Sequence, residues 1–179
     1  DWSSDVCSSD LNMFFDSGLR RGEVVSLESK NIFMHNNTML VQGKGEKERL
    51  VPFGEETKRY INRYSHMRNE YEKRFFQKED GTPITDNTIK MYFQDLKEST
   101  GIIRLHPHLL RHTFATNYIL YGGDVEELRI LLGHTSLQMT MKYVHLATQQ
   151  RILNQRYHSH IDKLFCQYDN KLARYSGSF

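Results

Sequence analysis

The chain is predicted to be mainly α-helical, with a small antiparallel three-stranded β-sheet inserted early. Two observations carry this. Apolar residues recur at helical spacing through most of the chain after residue 55, and three short β-prone runs lie close together between residues 31 and 53. At 179 residues, with 38% hydrophobic and 26% charged residues, the chain suits one hydrophobic core.

The elements follow in order. "MFFDSGLRRGEVVSL" reads as the end of one helix, a turn at Ser17-Gly18, and a short second helix that buries Val24, Val25 and Leu27. "NIFMH", "TMLVQ" and "ERLVPF" are strand-like and are joined by Asn36-Asn37 and by "GKGEK", which predicts a meander. Residues 55–76 read as one long charged amphipathic helix with Tyr60, Ile61, Tyr64, Met67 and Tyr71 on its apolar side, and Gly81-Thr82-Pro83 breaks the pattern. Asp86 is a candidate N-cap for a helix carrying Ile89, Tyr92, Phe93 and Leu96, with Gly101 as its stop. Pro107 opens a helix running to about Tyr121 and ending at Gly122-Gly123, and Asp124 and Glu127 have capping-box-like spacing for the next. A further helix is expected through "SLQMTMKYVHL", and a last one over residues 148–165.

Residues 1–11, "DWSSDVCSSDL", lack apolar periodicity and match the in-frame translation of a sequencing-library adapter, so they are read as non-native. Setting aside Asp1, Asp5 and Asp10 takes the acidic count from 22 to 19 against 24 basic residues, which moves the formal charge from +2 to +5. The natural chain is then expected to extend upstream. No apolar run approaches the roughly 20 residues of a membrane span, and no signal peptide is evident, so no membrane association is expected and the cytoplasm is the expected location. Cys7 and Cys166 are far apart and without metal-ligand spacing, which argues against a disulfide framework or a zinc site.

The stretch "IIRLHPHLLRHTFAT" packs His106, His108, Arg111 and His112 into seven positions. His108 and His112 are four apart and share a helix face, as paired metal ligands do. Yet "HPHLLRH" lacks the Glu of the zinc-protease signature, and a guanidinium between the imidazoles repels a cation. For so short a string taken alone, surface histidines on an amphipathic helix are the plain reading. Elsewhere, Arg20 follows a turn in "SGLRRGEVVSL", Lys44 sits at a glycine-flanked hairpin tip in "VQGKGEKERLVPF", and "LLGHTSLQMTMKYVHL" supplies His134 and, nine residues later, Tyr143. Two arginines, a lysine, two histidines and a tyrosine suit a phosphodiester.

Taken together, these four segments resemble the catalytic domain of the tyrosine recombinases, the phage-integrase and Xer-like site-specific recombinases. The resemblance runs from about Met13 to Leu146, with H-x-x-R at His108 and Arg111 and L-G-H followed by Tyr143. It implies a tyrosine recombinase catalytic-domain fold over residues 12–165, incomplete at its N-terminus, with a tail over 166–179. It implies Tyr143 as the nucleophile that forms a 3′-phosphotyrosyl bond, and Arg20 and Arg111 as oxyanion stabilisers. Lys44 is implied as general acid, His108 as an aid to proton transfer, and His134 as a phosphate hydrogen-bond partner. No metal or cofactor is required, because the arginines neutralise the charge that magnesium neutralises in other nucleases. Glu23, one turn beyond Arg20, is read as orienting an arginine or as structural. Lys47, Arg49 and Lys142 are candidate contacts to the DNA backbone. The implied partners are double-stranded DNA and further copies of the chain, a tetramer on DNA assembled through a C-terminal helix carrying Ile152, Leu153, Tyr157, Ile161, Leu164 and Phe165. Folding of that helix onto its own core is equally open. The resemblance further implies a bacterial or phage-encoded protein, bound at the nucleoid. The alternatives are a type IB topoisomerase, which shares this residue set, and a DNA-binding fragment without activity.

Overall fold

The computed structural model describes residues 13–43 and 47–155. A helical stretch over residues 13–17 packs Met13 and Phe14 fully inside and stops at Gly18, whose φ of +61° favours glycine. α1 (Arg21–Ser26) follows, with Val24 buried, and Leu27 beyond it is buried as well. A 3-10 turn at Ser29–Asn31 leads into the sheet.

The sheet is the expected antiparallel meander, in the order β1 (Ile32–Phe33), β2 (Thr38–Gln42), β3 (Glu48–Pro52). β1 is shorter than "NIFMH" suggested, holding only the pairs Ile32 with Met39 and Phe33 with Thr38. Met39 faces Val51 and Val41 faces Arg49 across β2 and β3. Directly opposed residues share a sheet face, so Arg49 projects from the same face as the buried Met39, Val41 and Val51. Leu50, on the other face, is 55% exposed.

α2 (Glu55–Ser65) is half the length predicted, and residues 66–85 are irregular. The helix gives way because Phe75 and Phe76 are worth more in the core than on a helix surface. They pack against Tyr64 with ring centroids 5.2 and 5.7 Å away, and the Phe75 amide donates to Leu27 O at 2.7 Å. The Arg68 guanidinium satisfies the carbonyls of Glu72, Arg74 and Phe75, which a continuing helix would have paired internally. Tyr71, expected on the apolar side, is 88% exposed.

α3 (Asp86–Thr100) is capped by Thr85, one residue before the expected Asp86, through Thr85 Oγ1 accepting from the Thr88 amide, and it ends at Gly101. α4 (Pro107–Leu120) has His106 as N-cap, its Nδ1 accepting from the Leu109 amide at 3.0 Å. α5 (Val125–Leu132) is capped by Asp124, which accepts from the amides of Glu126 and Glu127. Glu127 does not close a capping box; its carboxylate accepts from the Tyr118 hydroxyl at 2.8 Å. The last described element is one continuous α6 (Gln138–Gln155) in place of the two helices expected. Alanine and threonine at positions 147 and 148 carry the helix across the expected break, and Ala147 is buried. Residues 1–11 and the tail beyond 155, with the expected helix contacts there, lie outside the described residues.

Two apolar clusters result. One joins residues 13–17, α1, the sheet, α2 and α3 around Phe14, Tyr64, Phe76 and Phe93. The other joins α4, α5 and α6 around Ala115, Ile119, Leu128, Leu132 and Tyr143. The site lies where the clusters meet. A Cβ at Gly18 would come within 2.4 Å of Phe114 on α4 and would sit at a left-handed φ. Gly18→Ala is therefore expected to cost about 1–3 kcal/mol, read as a lower urea midpoint at unchanged m-value.

Candidate active site

The last turn of α5 is the centre of the site. An α-helix leaves its final carbonyls without intrahelical partners and gathers partial negative charge there. Here Gly133, at φ +61°, folds the chain back so that the amides of Gly133 and His134 close on Ile130 O and Arg129 O. The next four carbonyls each accept from an arginine: Leu131 from Arg49 Nε at 2.7 Å, Leu132 from Arg111 Nη2 at 2.7 Å, Gly133 from Arg20 Nη2 at 3.1 Å and His134 from Arg129 Nη1 at 2.9 Å. Arg111 Nη1 also donates to Gly18 O at 2.6 Å, tying α4 to the turn before α1.

Glu23 sets the spacing of this positive cluster. Its carboxylate, 5% exposed, takes a bidentate fork from Arg49 at 2.9 and 2.8 Å and a further bond from Arg20 Nη1 at 2.9 Å. The Arg20 amide donates to the same carboxylate at 2.8 Å. Burial pushes the Glu23 carboxyl up, but the hydrogen bonds and charges of Arg49 and Arg20 outweigh it and hold the group below the usual carboxylate range. The sequence expectation that Glu23 orients an arginine describes this arrangement.

Tyr143, on the inward face of α6, is 1% exposed. Its ring lies nearly parallel to His134, with centroids 6.3 Å apart, and His112 lies 5.4 Å from it on the other approach. Lys142 Nζ stands 4.9 Å from the same ring centroid. Burial raises the Tyr143 phenol, opposed by the charges of Arg111 and Arg20. Arg111 is brought down to about 10 by burial and by Arg20, and so stays a cation at neutral pH. Burial and then the Arg111 charge take His134 down to about 4. His134 Nε2 lies 3.4 Å from Arg111 Nη2, and Nδ1 lies 2.9 Å from Thr140 Oγ1. A guanidinium only donates, so Nε2 presents its lone pair and Nδ1–H points to Thr140.

His108 occupies the first turn of α4, and burial together with the neighbouring His106 and Arg111 charges lowers its pKa. It lines an open cleft of about 690 Å³ with Arg20, Arg21, Lys90, Lys97 and His106, a strongly basic wall set. Lys44 lies outside the described residues. Lys47 is exposed, as a backbone contact requires. Arg49 is not: its side chain is 9% exposed and committed to Glu23 and Leu131 O. The expectation of a surface DNA contact there is corrected, because period-two alternation in β3 turns Arg49 inward with Val51. The arginine-held turn, His112 beside Tyr143 and Thr140 behind His134 were not singled out from sequence. Only Arg49 had a readable signal, its spacing of two from Val51. Among the described residues no group of three His, Cys, Asp or Glu side chains converges as a metal-ligand set. No described helix is long and apolar enough to cross a membrane.

Guanidiniums and imidazoles thus gather around a buried tyrosine, beside a basic cleft on a mainly helical scaffold. The chain belongs to the phage integrase family, whose model matches residues 7–150. It is 34% identical over 145 residues to a protein named tyrosine recombinase XerC from Staphylococcus haemolyticus, covering 78% of this chain and 49% of the relative. It is 32% identical over 165 residues to the protein of the same name from Bacillus pumilus, covering 87% and 53%. The chain thus spans about half the length of the curated relatives it matches. The crystal structure of XerA recombinase superposes with a TM-score of 0.76 at 29% identity, over 88% of this chain and 60% of that one. The XerH recombinase bound to palindromic difH shares the fold, with a TM-score of 0.67 at 22% identity over 87% and 46%. The fold is that of a tyrosine recombinase catalytic domain.

A histidine held at about 4 when folded and near ~6.5 when unfolded binds its proton more readily in the unfolded chain between those values. Stability is therefore expected to fall as pH drops from about 6.5 towards 4, and His134→Asn should flatten that slope in urea titrations taken at stepped pH. In the folded protein the His134 imidazole signals should not titrate between pH 5 and 8.

Proposed function

We propose that this chain is the catalytic part of a site-specific DNA recombinase that cuts and rejoins strands without a metal, through a 3′-phosphotyrosyl bond at Tyr143. One observation carries the reading: buried Arg111, fixed by Gly18 O and Leu132 O, stands with His134 and Tyr143 in one cluster that also holds Arg20. Family membership supports it, as do proteins of the same fold that are an integrase and a recombinase bound to DNA.

Each residue's part follows from its chemistry. Tyr143 Oη attacks the phosphorus, its proton passes to His108, and the bond to the 5′-oxygen breaks. His108 suits this because its lowered pKa leaves a neutral imidazole at physiological pH. Arg20 and Arg111 offer forked donors to the nonbridging oxygens, which carry added charge in the transition state. Their charges also favour the phenolate that burial disfavours. His134 donates to a phosphate oxygen from Nε2 once the Thr140 hydroxyl turns to donate to Nδ1, a tautomer change that costs no net charge. Lys44 protonates the leaving 5′-oxygen. Attack by a 5′-hydroxyl on the phosphotyrosine reverses every step, so the bond energy is conserved and no ATP is consumed.

The basic cleft suits duplex phosphates, with Arg21, Lys90 and Lys97 beside the reacting position. Lys47 and Lys142 add exposed charge. Assembly of several copies on DNA is assigned to the C-terminal helix, of which Ile152 and Leu153 are exposed at the end of α6 and Tyr157, Ile161, Leu164 and Phe165 lie outside the described residues.

A nicked-duplex library captured by the protein tests the reading. The expected product is a DNA adduct mapped by mass spectrometry to Tyr143, absent in Tyr143→Phe and undiminished by chelator. An adduct on another residue, or one that needs a divalent ion, defeats the proposal. For Lys44, cleavage by Lys44→Ala is expected to be rescued by sulfur at the 5′ bridging position, a leaving group that needs no acid. If that substrate brings no rescue, the role of Lys44 as acid is wrong.

A further inference from the structure

Arg49 stands inside the arginine cluster but is absent from the walls of the cleft that would receive DNA. Its guanidinium reaches two things at once. Nη1 and Nη2 fork onto the Glu23 carboxylate at 2.9 and 2.8 Å, and Nε donates to Leu131 O at 2.7 Å. Arg20 shares Glu23 with it and reaches the same carbonyl turn two residues further on: Nη1 bonds Glu23 Oε1 at 2.9 Å, and Nη2 bonds Gly133 O at 3.1 Å. The contact surface is continuous, because a Cβ on Gly133 would meet Arg49 Nη1 at 3.1 Å and Cζ at 3.3 Å.

We propose that Arg49 is a positioning residue that shares Glu23 with Arg20 and thereby leaves the charge of Arg20 uncancelled and aimed at the scissile phosphate. The inference rests on the proposed function of this site. The charge count decides the direction of the effect. One carboxylate serves two guanidiniums, so the group retains a net single positive charge towards the cleft. Without Arg49, the same carboxylate, still buried, would neutralise Arg20 one for one and compete with a phosphate for its donors. Geometry points the same way. Arg49 fixes both the carboxylate and the carbonyl turn between which Arg20 is stretched, so the direction of Arg20 depends on a side chain that never touches DNA. Lysine cannot replace it, having no fork with which to span Glu23 and Leu131 O together.

This role is separable from simple support of the α5 end. Inorganic phosphate is titrated into the 15N-labelled chain, and the side-chain signals of Arg20 and Arg111 report its affinity. Arg49→Met is expected to weaken phosphate binding roughly fivefold or more, the effect of one unit charge removed at close range. Adding Glu23→Gln to that variant should bring affinity back to within about twofold of wild type, because the charge count returns to one. Glu23→Gln alone, nearly isosteric and present as a check should Arg49→Met fold poorly, is expected to bind phosphate more tightly than wild type. A purely supporting Arg49 would leave the double variant as weak as the single one and Glu23→Gln at wild-type affinity. Either of those results overturns the proposal, as does a wild type whose Arg20 and Arg111 signals ignore phosphate. Adduct formation by wild type on nicked DNA is scored in parallel. Its absence counts against the proposed function, while the phosphate series decides the role of Arg49.

Discussion

The C-terminal end of α5 is the constraint on which the site depends. Four successive carbonyls, from Leu131 to His134, are handed to four arginines that arrive from β3, α4, the turn before α1 and α5 itself. A carbonyl row at a helix C-terminus is a natural receptor for cations. It allows several guanidiniums to stand close together, since each is paired with a dipole and two also share Glu23. The protein thus holds several positive charges together using its own backbone.

That constraint also explains the distribution of exposure. Arg111 is buried and the Arg49 side chain is only 9% exposed, each tied to a carbonyl deep in the turn; Arg20, tied to the outermost of the three, keeps 34% of its side chain open to the cleft. Tyr143 is held from behind by the apolar contacts of the second core cluster, and its phenol meets the edge of the positive group. Burial disfavours its phenolate, and the charges of Arg111 and Arg20 oppose that effect. His134 belongs to the same balance, kept neutral by burial and by the charges around it, with Nδ1 against Thr140.

Much of this was legible in the sequence, for identifiable reasons. Arg20, His108, Arg111, His134 and Tyr143 were named from residue type, order and spacing. The meander was readable because "TMLVQ" and "ERLVPF" alternate and are separated by a glycine-rich tip. The helix predicted to run to Phe76 fails at Ser65 because its pattern of aromatic spacing continues while Phe75 and Phe76 answer to Leu27 and Tyr64, residues distant in the chain. Arg49 shows the opposite lesson: charge suggested a surface, whereas the pleat beside Val51 dictated the interior. The carbonyl row was not legible at all, since a backbone acceptor carries no side-chain signature and the arginines that fill it come from four separated segments.

The central claim is that this positive group is assembled by the protein's own contacts before a phosphate arrives. The most direct measurement is 15N-detected NMR of the arginine side chains in the DNA-free protein, assigned by single Arg→Lys substitutions. The account predicts that Arg49 and Arg111 show separated Nη signals with hindered rotation about Cζ–Nη, as expected for guanidiniums locked onto carbonyl and carboxylate acceptors. Averaged, freely rotating signals for both residues would contradict it and would mean that the site forms only around its substrate.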